Sequence, residues 1–398
     1  MGFSDLEADK SHYNYQSVAD QLQQYIEGEE FKGYDPYDTL NSPLPFHWMG
    51  KWGKPVAIQV QKRNPLNLRS LIGIKKEHNP KAMGLLLHAY SLKFLKNGDA
   101  GTRETMDKLF QWLLDNHSKG FQHYCWGYNF DWASSVKFLP AYSPTIVVSG
   151  FIAKGIIAYY QATENRKALE VLKSIGEFVL QDLPHSEDPS GLCFSYSTVE
   201  KDCCYNASML GSELFAFLYQ QTGEERYKQF AVRSTDFVVD KQKEDGRWNY
   251  SIRLATGVER VQIDFHQGYV IDSLANVIRC IPELEEEYTP YLLKGLDFYR
   301  HHQFVANGRS LYRYPAQWPV EIHNQAQGIL TFSRMTEKDR EYRETAQKIM
   351  NYTVRTMRSP QGFFYYKKYP WMTIKTPFMR WSQAWMFLAL NEFIIASE

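Results

Sequence analysis

A repeat of about sixty residues constrains this chain more than any single motif does. A glycine opens a helical apolar pattern at Gly84, Gly150, Gly211, Gly268 and Gly328, with Ala384 in the sixth place. The intervals are 66, 61, 57, 60 and 56 residues. Five positions after each stands a second small residue: Ala89, Gly155, Ala216, Ser273, Ser333 and Ala389. Small residues about a turn apart let helices approach closely, so these six segments read as tightly packed inner helices. A more polar amphipathic stretch follows each of the first five, at 103–117, 165–181, 224–241, 290–303 and 339–357. These read as outer helices, with Lys and Glu on the solvent face.

A second repeat keeps the same phase. Between outer helix and next inner helix come glycine-led aromatic pieces at 191–196, 246–250, 308–314 and 362–366, and a looser one at 120–128. Glycine supplies the turn, and alternating rings suit a short extended piece packed on one face. Ser143-Pro144, Thr289-Pro290 and Thr376-Pro377 read as capping hydroxyls ahead of a proline at the first helical position.

Six hairpins can stack open as a solenoid or close into a ring. Six inner helices with only five clear outer ones favour closure, with the missing outer helix supplied by residues 15–27. The expected fold is therefore all-α: an (α/α)6 toroid over 79–398 with short aromatic β-like loops. Residues 1–78 form an N-terminal extension that partly closes the ring and carries a short strand at 56–60. The competing architecture is an open helical-repeat scaffold.

Composition narrows the function. The 45 basic and 45 acidic side chains cancel, which disfavours a nucleic-acid surface. The most apolar run, 147–160, carries Lys154 and falls short of a membrane span of ~18 residues. Residues 1–16 lack the basic start and apolar middle of a secretion signal. Five cysteines without a C-x-x-C pattern read as free thiols in a reducing cytoplasm. No dinucleotide, P-loop, zinc-protease or nucleophile-elbow motif occurs, so no cofactor or metal is expected, although convergence of ligands from different hairpins stays open.

In a toroid the inner helices point their N-termini at one end of a central cavity. The residues just before the repeat glycines are polar there, and 24 Phe, 27 Tyr and 10 Trp offer rings to line the space. Helix N-termini favour an anion, while aromatic faces and amide groups suit a sugar. An anionic sugar or glycan is the expected partner. The expected binding residues are Trp126, Tyr128, Trp132, Tyr205, Asn206, Trp248, Tyr250, Asn324, Gln327 and Trp381. His266 and His323, near-equivalent in successive repeats, would be acid and base on opposite sides of the substrate. Arg380 would clamp a carboxylate, or else pair with a carboxylate of the ring such as Asp264. Asp131 would act as an acid among rings, or else cap the segment that follows. Each histidine has the plainer alternative of capping a helix.

Three inner segments resemble known proteins. FHQGYVIDSL at 265–274 and HNQAQGILTFS at 323–333 are similar to segments of the C-terminal domain of D-glucuronyl epimerases. RWSQAWMFLAL at 380–390 is similar to a stretch of unsaturated glucuronyl hydrolases, within the same six-hairpin superfamily. GYDPYDTLNS at 33–42, residues 67–85 and WGYNFDW at 126–132 resemble a family encoded among bacterial surface-polysaccharide genes. These resemblances imply a carbohydrate-active enzyme. The leading expectation is proton abstraction beside a uronate carboxylate, leading to epimerisation or elimination. The alternatives are glycoside hydrolysis by Asp131 and Asp264, whose carboxylates would then stand ~5–10 Å apart, and non-catalytic glycan binding.

Overall fold

The computed structural model describes residues 13–133 and 138–398, so most of the 1–16 segment lies outside the described residues. Thirteen helices occur among the described residues. They are α1 (Tyr15–Gly28), α2 (Gly53–Arg63), α3 (Pro80–Asn97), α4 (Ala100–Asp115), α5 (Ile146–Thr163), α6 (Arg166–Gln181) and α7 (Tyr205–Thr222). The rest are α8 (Glu225–Asp240), α9 (His266–Cys280), α10 (Glu285–Gln303), α11 (Ile322–Arg334), α12 (Arg340–Met357) and α13 (Trp385–Ser397). Helices α3, α5, α7, α9, α11 and α13 pack each on the next, and α13 packs on α3. The ring is therefore closed: the fold is an (α/α)6 toroid, not an open superhelix. Helix α5, apolar enough by composition to cross a membrane, is one of these inner helices.

Helices α4, α6, α8, α10 and α12 lie outside their inner partners, close to the expected positions. Helix α1 packs on α13, with the Tyr15 and Phe393 rings 5.1 Å apart, and Tyr15 donates its hydroxyl hydrogen to Asn351 of α12. It fills the sixth outer position from the other end of the chain.

The repeat glycines mark helix crossings. A Cβ on Gly155 would lie 2.2 Å from the Gly84 carbonyl oxygen, and one on Gly84 would lie 2.8 Å from the Ile152 Cα. Helices α3 and α5 meet backbone to backbone. Gly155→Ala is expected to cost ~1–3 kcal/mol through overpacking, measured by chemical denaturation.

The aromatic segments are fastened by polar residues of the inner helices. Gln267 accepts from the Trp248 amide at 2.9 Å and donates to its carbonyl at 2.6 Å. Gln383 does the same to Phe364, with both bonds 2.8 Å, and Gln325 spans Ser310 and Gly308. Ser149 performs the task for Trp126. A buried amide or hydroxyl must find partners, and here the partner is an extended backbone that has no sheet of its own.

Three expectations are corrected. Residues 56–60 are helical, within α2, where Pro55 sits in the first turn and needs no amide partner. Ile58 and Gln61, three apart, form its buried face, and Val56 and Val60 face solvent. Pro290 lies inside α10, whose acidic first turn begins at Glu285. Ser143 and Thr376 precede their helices by more than a cap: Thr145 caps α5 by accepting from Val148, and a π-helical turn, Met379–Ala384, precedes α13.

Below its N-terminal half the bore is sealed by charge. Lys154 pairs with Glu213 at 2.8 Å, and Glu213 also accepts from Ser273 and Asn276. Arg334 pairs with Asp272 at 2.7 Å and Glu392 at 3.0 Å. Only about 10 Å³ of space remains between these groups, room for about one water. The ring is thus a cup open at one end.

Candidate active site

The cup holds about 590 Å³, walled by the starts of the inner helices, the aromatic loops and the N-terminal extension. Its most organised wall is the start of α9. Asp264, 2% exposed, accepts from His266 Nδ1 at 2.5 Å, the His266 amide at 3.2 Å and Gln262 at 2.9 Å, with the Arg313 guanidinium 3.5 Å away. Burial raises the pKa of this carboxyl, but His266 and Arg313 outweigh it and leave the group below the ordinary carboxylate range. An ionised Asp264 on Nδ1 fixes the proton there and leaves the lone pair of His266 on Nε2. No described residue bonds Nε2, and the ring borders the cavity, edge to face with Tyr250 at 4.9 Å.

His323 differs. It is 1% exposed, with Nε2 2.5 Å from the Tyr269 hydroxyl oxygen and Nδ1 without a hydrogen-bond partner. Burial, then the charges of Lys81 and Arg380, hold its pKa well below that of an ordinary imidazole, so it is neutral at pH 7. Phe265 lies against both imidazoles, tilted at 4.2 Å from His266 and stacked at 4.1 Å from His323. The histidines therefore share an apolar ring and one wall, in place of the expected arrangement on opposite sides of a substrate.

Arg380 is also corrected. Its Nε and Nη2 donate to the two carboxylate oxygens of Asp35 at 2.6 and 2.8 Å, so the edge expected to clamp a ligand is filled by the extension. The partner is neither substrate nor Asp264. Asp35 is itself held in a buried turn: Asp38 accepts from the Asp35 amide, and Arg69 bonds both the Asp38 carboxylate and the Asp35 carbonyl.

The extension brings two more groups that sequence reasoning missed. Lys62, half-buried on α2, donates to the Tyr37 hydroxyl, and both border the cavity. Burial, reinforced by the charge of Lys367, pulls the Lys62 pKa down to about 7. Glu321 is paired with Lys367 at 2.9 Å and accepts from Trp381 Nε1 at 2.7 Å. The only early trace of this part of the site was the motif at 33–42, whose side chains could not be assigned a destination. Reductive methylation is expected to give one dimethylamine NMR signal titrating near pH 7 that vanishes in Lys62→Arg. A titration of that signal above pH 9 would contradict the placement.

Of the expected binding residues, Tyr128, Trp132, Asn206, Tyr250, Asn324 and Trp381 border the cavity, as do Asp264, His266, His323 and Arg380. Asn324 is spent on structure there, accepting from the Phe265 amide and donating to the Leu311 and Tyr312 carbonyls. The structure puts five expected residues elsewhere. Trp126 and Trp248 are fully buried, with indole N–H groups donating to Leu113 and Val238 carbonyls of the outer helices. Tyr205 donates to Glu259, and Gln327 lies below the cup on Asp272 and Thr331. Asp131 is not among the cavity-lining residues and accepts from the Ala141 amide at 2.8 Å, ten residues on.

No protein family and no curated protein matches this sequence. Solved structures share its fold. A cellobiose 2-epimerase from Bacillus thermoamylovorans superposes with a TM-score of 0.64 at 13% identity, over 95% of this chain and 99% of that one. A GH76 α-mannanase from Bacteroides thetaiotaomicron gives 0.67 at 16% identity, over 98% of each chain. A possible member of the GH105 family from Salmonella enterica gives 0.66 at 13% identity, over the whole of both. These likenesses establish the fold, an (α/α)6 toroid.

Proposed function

We propose that this protein is a carbohydrate-active enzyme that removes a proton from sugar carbon beside a uronate carboxylate, in an elimination or an epimerisation. The observation that carries the reading is the Asp264–His266 pair, with an unbonded Nε2 at the cavity wall. A base needs a free lone pair within reach of the proton and a partner that stabilises its charged form. The Arg313 guanidinium beside the cavity, with the Lys62 and Lys81 amines once protonated, would stabilise the enolate that forms. The fold likeness to sugar epimerases and glycan hydrolases, and the similarity of α9 and α11 to D-glucuronyl epimerase segments, support a sugar substrate. We place that substrate in surface-polysaccharide metabolism on the likeness at the N-terminus.

Which product forms depends on where the second proton comes from. Tyr269, backed by neutral His323, stands on the same wall as His266, their rings 5.5 Å apart. Delivery from that wall to a leaving oxygen gives elimination. Delivery from Lys62, on another element, would allow return to the opposite face and hence epimerisation. Hydrolysis by Asp131 and Asp264 loses support, because Asp131 lies outside the cavity lining on the Ala141 amide and Asp264 is bonded to His266. Incubation with uronic-acid oligosaccharides, followed by proton NMR of the products, tests the reading. An unsaturated or C5-inverted uronate is expected, and a newly freed reducing end with both sugars otherwise intact would sink it.

A further inference from the structure

The cup contains an amine with nothing to bind. Lys81, the second residue of α3, is 3% exposed and borders the cavity. Its Nζ lies 3.9 Å from the Phe151 ring centre, 5.4 Å from Trp385 and 5.7 Å from Tyr269. No carboxylate or carbonyl among the described residues accepts a hydrogen bond from it. Three neighbouring charged groups are matched: Arg380 with Asp35, Glu321 with Lys367, Asp264 with His266. A fully buried polar atom close by has no hydrogen-bond partner: His323 Nδ1, whose ring lies 4.5 Å from the same Trp385. Fully buried polar groups without partners are rare because each costs desolvation that nothing offsets. One of them beside an unpaired amine on the cavity wall marks a place where a ligand completes the bonding.

We infer that Lys81, with His323 Nδ1 beside it, is the seat of the substrate's carboxylate, the role the sequence had suggested for Arg380. The inference rests on the proposed uronate chemistry and names the subsite that selects for it. The aromatic cage excludes water and holds the amine in place, and the incoming carboxylate supplies the counter-charge. Burial first, then the charge of Arg380, push the pKa of Lys81 far down, against the opposing pull of Asp35. The other polar groups facing it are neutral His323 and the Tyr269 hydroxyl. An anion that recharges the amine must therefore draw in a proton, up to about one per ligand bound.

The test is calorimetric titration of the whole chain with D-glucuronate, D-glucose and glucose 6-phosphate, in two buffers of different ionisation enthalpy. Glucuronate is expected to bind more tightly than glucose, with proton uptake. Lys81→Met, which keeps the volume and suits an aromatic cage, is expected to weaken glucuronate at least about tenfold. It should also abolish the uptake and leave glucose unchanged. Lys81→Arg should recover part of the affinity. Equal glucuronate affinity in wild type and Lys81→Met overturns the inference. So does no preference for glucuronate over glucose, or a response to the phosphate alone. His266→Gln is expected to retain glucuronate binding, so failure of the base assignment and failure of the anion seat show up in different experiments.

Discussion

His266→Gln is expected to lower turnover of the uronate substrate by about 10²–10⁴-fold, the range a positioned acid or base supplies. Glutamine keeps a polar group next to Asp264 but has no lone pair of suitable basicity. His266 is only partly buried, with a side chain 15% exposed, so the fold should survive and the melting temperature should move little. Asp264→Asn is expected to lose activity too, because an amide would no longer require the His266 proton to sit on Nδ1. The discriminating pattern is a fall in kcat with KM nearly constant, since the base acts on the transition state more than on binding. His323→Gln should behave differently: a buried ring stacked on Phe265 is removed, so stability falls along with activity.

Asp35→Ala is expected to destabilise the protein by about 3–5 kcal/mol, the cost of leaving a buried charge without its partner. Arg380 is 2% exposed and its guanidinium meets only aromatic faces otherwise, with Tyr128 at 4.8 Å and Trp381 at 4.9 Å. Asp35→Ala combined with Arg380→Met should recover most of the loss, because no charge is then stranded. Denaturant melts of the two single variants and the double one measure the coupling. A small effect of Asp35→Ala would mean that the extension merely rests on the ring. The large effect predicted makes residues 33–42 part of the cup floor, although 345 positions separate the two partners.

The toroid was legible because its cause is periodic. Gly84 and Gly155 recur in phase since close helix crossings tolerate no Cβ, and the outer helices follow from their amphipathic pattern. The helix over residues 53–63 was missed because a short stretch of β-branched residues fits strand or helix until its burial is known. Within the site, Asp264, His266, His323 and Arg380 were legible as helix-start residues, but their partners were not. Asp35, Tyr37 and Lys62 reach the cup from a segment with no repeat phase, so nothing in their spacing indicated where they go. The tryptophans misled for a physical reason. Trp126 and Trp248 were read as platforms for sugar, yet an indole also seals a core if a carbonyl meets its N–H, and the last turn of an outer helix offers one. Polar residues before the repeat glycines were read as cavity lining, but Gln325 instead holds an aromatic loop in place, as Gln267 and Gln383 do in their repeats.

Proton abstraction by His266 is tested most directly by solvent exchange. In deuterium oxide, wild-type protein incubated with a uronic-acid oligosaccharide should replace the hydrogen on the carbon beside the carboxylate, or release it in an unsaturated product, and His266→Gln should do neither. Retention of that hydrogen through complete turnover by the wild type would contradict the account.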